Sequence, residues 1–207
     1  MCSSDLSSPI VIDTVSPSVT ITTNKTALKI GETATITLTL SEASTNFTLS
    51  DVTATGGTLS SFLVTPAGGG IAANTVYTAT FTPNANFTGT GSVAVAAGTF
   101  TDAASNGNTA GALASPITID TVAPTVAISS STPTLANGQT ATITFTLSEA
   151  STNFTLSDVT VTGGTLSGFT GSGTSYTATF TPTPSASATG TVSRSEEHTS
   201  ELQSPCN

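Results

Sequence analysis

The segment Leu40–Ser60 reads LSEASTNFTLSDVTATGGTLS and the segment Leu147–Ser167 reads LSEASTNFTLSDVTVTGGTLS; they differ only at Ala54 and Val161. A chain that repeats itself this closely is constrained to fold as a tandem array of one unit, because each copy carries the same folding instructions. The repeat reaches beyond this core. Pro9–Ile21 (PIVIDTVSPSVTI) aligns with Pro116–Ile128 (PITIDTVAPTVAI) at an offset of 107, which holds through Glu42/Glu149 and Leu59/Leu166. Tyr77 then aligns with Tyr176 at an offset of 99, so eight residues are lost from the Gly-rich stretch Val64–Asn74. Loops tolerate such deletions and strands do not, which marks Val64–Asn74 as an exposed loop.

Within each copy the hydrophobic period is two. Thr33–Leu40 places Ala34, Ile36, Leu38 and Leu40 on one face and Thr on the other; Thr140–Leu147 repeats this with Ala141, Ile143, Phe145 and Leu147. Tyr77, Ala79 and Phe81 share a face, as do Val93 and Val95; Val19 and Ile21 open the repeat, and Ile117 and Ile119 close it. Alternation of this kind predicts half-buried antiparallel strands. Gly56-Gly57, Gly68–Gly70, Pro83-Asn84 and Asn106-Gly107 punctuate them as turns. About seven short strands in roughly 100 residues predict an all-β, immunoglobulin-like sandwich, without the Trp and paired Cys of antibody domains. Only 7% of the residues are charged. Disorder couples low hydrophobicity to high charge, so this composition predicts folding.

The ends differ from the rest. Arg194–Ser204 reads RSEEHTSELQS, which looks like the in-frame translation of a sequencing adapter, and Cys2–Leu6 (CSSDL) looks like its opposite end. Residues 1–6 and 194–207 are therefore expected to be artefactual, and with them go Cys2, Cys206, His198 and Arg194. No disulfide is inferred from the two cysteines. In Ser7–Ser193 two bases, Lys25 and Lys29, face eight acids, Asp13, Glu32, Glu42, Asp51, Asp102, Asp120, Glu149 and Asp158, a net charge of −6. Few bases and a negative balance exclude a nucleic-acid footprint. No apolar run approaches the roughly 18 residues of a membrane-spanning helix.

The ordered set DTVAPTV, LSEASTNFTLSDV, GGTLS, YTATFTP and GTFTDAASN resembles the bacterial Ig-like repeats of large surface proteins and biofilm adhesins, over essentially all of Ser7–Ser193. The family pattern often carries Asp-Ala-Ala-Gly-Asn where this chain has Asp102-Ala103-Ala104-Ser105-Asn106, so the turn must form without its Gly. The alignment assigns 7–13 to the last strand of a preceding repeat, 17–120 to a complete repeat and 124–193 to a truncated one lacking residues equivalent to Val95–Asp120. The open edge of this second copy is expected to recruit the stray Ser7–Asp13 strand, from another chain. The resemblance implies structural stalk or spacer repeats of an extracellular or cell-surface adhesin. Their partners would be neighbouring Ig-like repeats, with surface glycans or other cells as further candidates. Two alternatives are repeats that themselves bind glycan or partner surfaces, and spacers within a secreted polysaccharide-active enzyme.

Catalysis is not expected: without His, Cys or Arg in Ser7–Ser193, a hydroxyl nucleophile has no ready base. Calcium is the one cofactor the residues suggest, since hard cations take carboxylate and carbonyl oxygens. Asp13 and Asp120 precede Thr-Val-x-Pro at the repeat junctions; Asp102 and Asn106 lie in a turn-rich loop; Glu42 ends a strand and Asp51 starts one. These six are the candidate ligands. The competing reading gives Asp13 and Asp120 to turns and Glu42 and Glu149 to strand ends. Asn24, Asn46, Asn86 and Asn153 each begin an N-x-Thr sequon, read as a by-product of Thr-rich composition.

Overall fold

The computed structural model describes residues 11–70, 72–184 and 187–195. The chain divides into two compact units between Thr121 and Val122.

In the first unit the period-two segments form strands whose apolar faces turn inward. They are β1 (Val19–Thr23), β2 (Ala27–Lys29), β3 (Ala34–Leu40), β4 (Val52–Thr55), β5 (Gly57–Val64), β6 (Val76–Pro83), β7 (Thr88–Val95), β8 (Gly111–Ala112) and β9 (Ile117–Asp120). One sheet has the order β1-β3-β6-β5; the other runs β2-β9-β7-β4, with β8 on β7. Registers Val19↔Leu40, Ile21↔Leu38, Ile36↔Ala79 and Leu38↔Tyr77 keep the apolar residues in phase across the first sheet. Ile36, Leu38 and Phe81 from that sheet join Leu28, Val93, Val95, Ile117 and Ile119 from the other in one buried cluster. Every side chain the alternation assigned to the core of β1, β3, β6, β7 and β9 is buried.

Two features depart from plain antiparallel alternation. The β2–β9 pair is parallel, Leu28 opposite Ile119. The chain leaves β1 in one sheet and enters β2 in the other through a turn in which Thr23 Oγ1 donates to the Lys25 carbonyl at 2.9 Å. One stretch of sequence thereby edges both sheets, and periodicity alone carries no signal for such a switch. The short strands β2 and β8 also raise the count above the expected seven.

The second unit contains β10 (Val126–Ser130), β11 (Ala141–Ser151), β12 (Val159–Thr162), β13 (Gly164–Pro182) and β14 (Thr191–Arg194). β10-β11-β13 form one sheet and β12-β14 the other. The eight-residue deletion acts where the alignment placed it. β13 runs without a break through the equivalents of β5 and β6, turning at Gly171 and Gly173, whose φ angles are +141° and +63°. Phe169 stacks on Tyr176 across this turn at 5.6 Å, as Phe62 does on Tyr77 at 5.3 Å.

The aromatic centre is rebuilt rather than copied. In the first unit Phe100, from the loop after β7, tilts against Phe47 at 4.8 Å. In the second, Phe145 stands at the position of Leu38 and packs edge-on to Phe154, the equivalent of Phe47, at 5.6 Å. Among the described residues, nothing pairs with the edge of β14 that in β7 is covered by β9. Leu135, Val159 and Val192 are accordingly half-buried, whereas Leu28, Val52 and Val93 are buried.

Of the expected terminal strand Ser7–Asp13, residues 7–10 lie outside the described set; Val11 and Ile12 belong to no strand and are 89% and 80% exposed. Segment 1–6 and residues 196–207 also lie outside it, while Arg194 closes β14 opposite Val159. Among the described residues no helix is long and apolar enough to cross a membrane.

Candidate functional site

The repeated segment spends its polar side chains on its own fold. Thr48 and Asp51 form a reciprocal cap on the 3-10 turn Leu49–Asp51: the Asp51 carboxylate accepts from Thr48 N–H at 2.8 Å and from Thr48 Oγ1 at 3.0 Å. Thr155 and Asp158 repeat this around Leu156–Asp158, at 2.7 and 3.0 Å. Tyr77 donates to the Ser44 carbonyl at 3.3 Å, and Tyr176 to that of Ser151 at 2.7 Å. Asn46 Oδ1 accepts from Ser44 Oγ and from Thr101 N–H. Asp51 and the Asn46 sequon position are thus structural.

The acidic residues separate by topology. Asp13, Glu42 and Asp102 converge, each offering a carboxylate oxygen within 4.8 Å of the others. Asp13 comes from the segment before β1, where its Oδ1 accepts from Val15 N–H at 3.1 Å. Glu42 follows β3, and Asp102 sits in the loop after β7. That loop folds around Asp102: Oδ1 accepts from the backbone N–H of Ala104 at 2.8 Å and of Asn106 at 2.9 Å, and Oδ2 from Asn106 Nδ2 at 2.9 Å. Asn106 Nδ2 also donates to the Asp13 carbonyl at 3.2 Å. The turn forms although Ser105 must take φ of +73°; three donors on one carboxylate hold it there. Asn108, buried beside it, receives Phe100 N–H on Oδ1 and donates to the Ala96 carbonyl.

Electrostatics follow from this packing. Lost hydration, then the charges of Asp13 and Asp102, push the Glu42 carboxyl above its ordinary range. For Asp102, lost hydration pushes upward. Hydrogen bonds from the Asn106 side chain and from backbone N–H groups of Asn106, Ala104 and Ser105 outweigh it and hold the carboxyl below its usual range.

Asp120 lies elsewhere. It closes β9 beside Thr88, the first residue of β7, whose Oγ1 donates to its Oδ1 at 3.1 Å. β7 is eight residues long, so the cluster beyond its far end stands roughly 25 Å away. Of the six candidate ligands, the structure brings together Asp13, Glu42, Asp102 and Asn106; the Asp51 carboxylate caps its own turn instead, and Asp120 lies at the other end of β7. Calcium ligands sit at about 2.3–2.6 Å from the ion, so oxygens sharing one ion can be nearly 5 Å apart. The three carboxylates fit a hard cation by chemistry and spacing; further ligands would have to be carbonyls and water. In the second copy Glu149 is the equivalent of Glu42, and no equivalent of Asp102 falls within the described residues.

The prolines after the junctional acids are anchored. Pro17 is buried and its carbonyl accepts from Thr109 N–H at 2.9 Å. Pro124 is also buried, and its carbonyl accepts from Arg194 Nη1 at 3.2 Å. Thr121 is held inside the first unit, its Oγ1 donating to the Asn84 carbonyl at 2.6 Å and accepting from Phe87 N–H at 2.9 Å. Only Val122 and Ala123 lie between the anchored Thr121 and Pro124. Sequence inspection gave Thr121 no role, although its place in the Asp-Thr-Val-x-Pro motif was a signal available to it.

Comparison with known proteins places these features in context. The family described as bacterial Ig-like domain matches residues 13–119 and 120–204. No curated protein matches. Among solved structures, FdeC, an Escherichia coli adhesin, aligns at 19% identity with a TM-score of 0.45, over 85% of this chain and 58% of that one. The Yersinia pseudotuberculosis adhesin InvE aligns at 19% identity with a TM-score of 0.35, over 79% of this chain and 51% of that one. The chain thus spans little more than half the length of either.

Proposed function

The chain belongs to the bacterial Ig-like domain family, and from that premise we propose that its two units are non-catalytic spacers in the stalk of a secreted or cell-surface bacterial adhesin. They hold a distal binding region away from the cell. The observation that carries this reading is the shortness of the link: two residues, Val122 and Ala123, between Thr121, bonded to Asn84 and Phe87, and the buried Pro124. A link that short, ending in a residue of fixed φ, restricts bending between units. The same motif, Asp13-Thr14-Val15-Ser16-Pro17, precedes the first unit. The self-satisfied capping turns and tyrosine bonds support it further, because what is repeated is a building block. Residues 14–120, linked in two, four and six copies, test the reading by small-angle scattering. Maximum dimension is expected to rise linearly with copy number, and a glycan array to show no binding. A collapsed profile, or glycan capture by one copy, would overturn it.

A second reading adds calcium at Asp13, Glu42 and Asp102, supported by their convergence within 4.8 Å. Bound there, the ion would fasten the segment before β1 to the loop after β7. Millimolar calcium should then raise the melting temperature of the chain, and Glu42→Gln should abolish the shift. An equal shift in both proteins removes this reading.

A further inference from the structure

The turn that leads into the long central strand is built the same way in both units. In the second, Gln139 N–H donates to the Ala136 carbonyl at 3.0 Å, and Ala136 N–H donates to Gln139 Oε1 at 2.9 Å. In the first, Glu32 N–H donates to the Lys29 carbonyl at 3.1 Å, and Lys29 N–H to Glu32 Oε2 at 3.0 Å. The third residue of the turn is glycine in each, Gly138 with φ of +79° and Gly31 with φ of +76°, as a type II turn requires. The second residue differs: Ile30 in the first unit, Asn137 in the second. Asn137 and Gly138 are both exposed, and a methyl group on Gly138 would meet nothing within 4 Å, so its backbone nitrogen is open to approach. Among the described residues nothing bonds the Asn137 side-chain amide. The sequence holds one other Asn-Gly pair, Asn106-Gly107, and there the fold ties the amide down: Asn106 Nδ2 donates to Asp102 Oδ2 at 2.9 Å and to the Asp13 carbonyl at 3.2 Å.

We propose that Asn137 is a self-modification site, at which the chain converts its own asparagine to aspartate and isoaspartate with water as the only co-reactant. The Gly138 nitrogen attacks Cγ of Asn137. The new N–C bond closes a five-membered imide, the Cγ–Nδ2 bond breaks, and the Gly138 amide proton leaves with Nδ2 as ammonia. Water then opens the imide at either carbonyl. One opening leaves aspartate; the other leaves isoaspartate, whose main chain runs through Cβ and is one carbon longer. Glycine after the asparagine permits the attack, since it brings no side chain against the incoming carbonyl. Asn106 does not follow this course while folded, because turning its amide towards the Gly107 nitrogen breaks both bonds of Nδ2, one of them to a carboxylate. Conversion at Asn137 is irreversible and adds one negative charge to the second unit alone. Both hydrogen bonds that close the turn span the altered residue, so the extra carbon of isoaspartate pulls them out of register and loosens that unit. This modification is independent of the spacer reading.

Incubation of the full chain for days in weakly alkaline buffer, followed by peptide mapping with mass spectrometry and enzymatic labelling of isoaspartate, tests it. Asn137 is expected to convert, with isoaspartate the main product, at least about tenfold faster than Asn106, whose conversion needs local opening of its loop. In urea strong enough to unfold the chain, the two should convert at similar rates. Asn137→Gln alters an exposed side chain and does not close the five-membered ring, so its second unit should keep its melting temperature through the same incubation. In the parent chain that temperature should fall by about 4–8 °C, the effect of losing one hydrogen bond in a unit of this size, while that of the first unit stays fixed. Three results overturn the proposal: an Asn137 that keeps its amide, conversion at Asn106 as fast as at Asn137 in the folded chain, or a second unit whose melting temperature moves equally in the parent and in Asn137→Gln.

Discussion

Glu42 is where the acidic cluster bears on stability. Its carboxyl is raised in the folded chain by lost hydration and by its neighbours Asp13 and Asp102. In the unfolded chain it ionises at its ordinary value. Between the two values the folded state retains a proton that the unfolded state has released, so stability falls as pH rises through that window and stays lower above it. Asp102 has the opposite sign: its lowered value adds stability above the ordinary range, lost as pH falls through the folded value. In chelator, Glu42→Gln should therefore raise the melting temperature at pH 7 and leave it unchanged near pH 3. Asp102→Asn should lower it at pH 7. Thermal melts at both pH values check both statements, and a Glu42→Gln gain that persists at pH 3 would contradict the electrostatic account. The acid residues were legible in sequence by type and by loop position. Which of them share a site was not, because Asp13 and Asp120 occupy the same place in the repeat. What separates them is the run of β7 from Thr88 towards the Asp102 loop, a property of topology that no local pattern encodes.

At the scale of elements, the glycines opening β5 and lying within β7 show what the alternation pattern could and could not reveal. Buried faces followed from the period of two. The need for a bare backbone at Gly91 did not, because it arises from two elements meeting there: the Phe81 ring from β6 and Ile119 from β9, each within 2.9 Å of where a methyl group would stand. The equivalent Gly190 meets the Phe180 ring at 2.8 Å, with no isoleucine among its close neighbours. Gly91→Ala is accordingly expected to destabilise the first unit by about 1–3 kcal/mol, the usual cost of overpacking. Gly190→Ala should cost the second unit less. Urea unfolding of the two variants gives the comparison, and equal losses would mean that the ring contact alone sets the cost. The parallel β2–β9 pair was hidden for a similar reason. Leu28 reads as one apolar residue in a polar stretch, and only the strand that lands beside it gives it a place in the core.

For the whole molecule the two units should not be equally stable, despite their near-identical central segments. The first buries Leu28, Phe100, Ile117 and Ile119 almost completely. Within the described residues the second has only a half-buried Leu135 against these, with Phe145 in place of Leu38 restoring part of the aromatic packing. Burial of apolar side chains is the main stabilising term, so the second unit should melt first and the chain should show two transitions. Each unit holds one tyrosine, Tyr77 in the first and Tyr176 in the second, and the chain contains no Trp. Tyrosine fluorescence can therefore assign each step. Tyr176→Phe leaves Tyr77 as the only fluorophore, and its signal should follow the upper transition; Tyr77→Phe leaves Tyr176, which should follow the lower. A single transition seen identically by both tyrosines would show that the two units unfold as one.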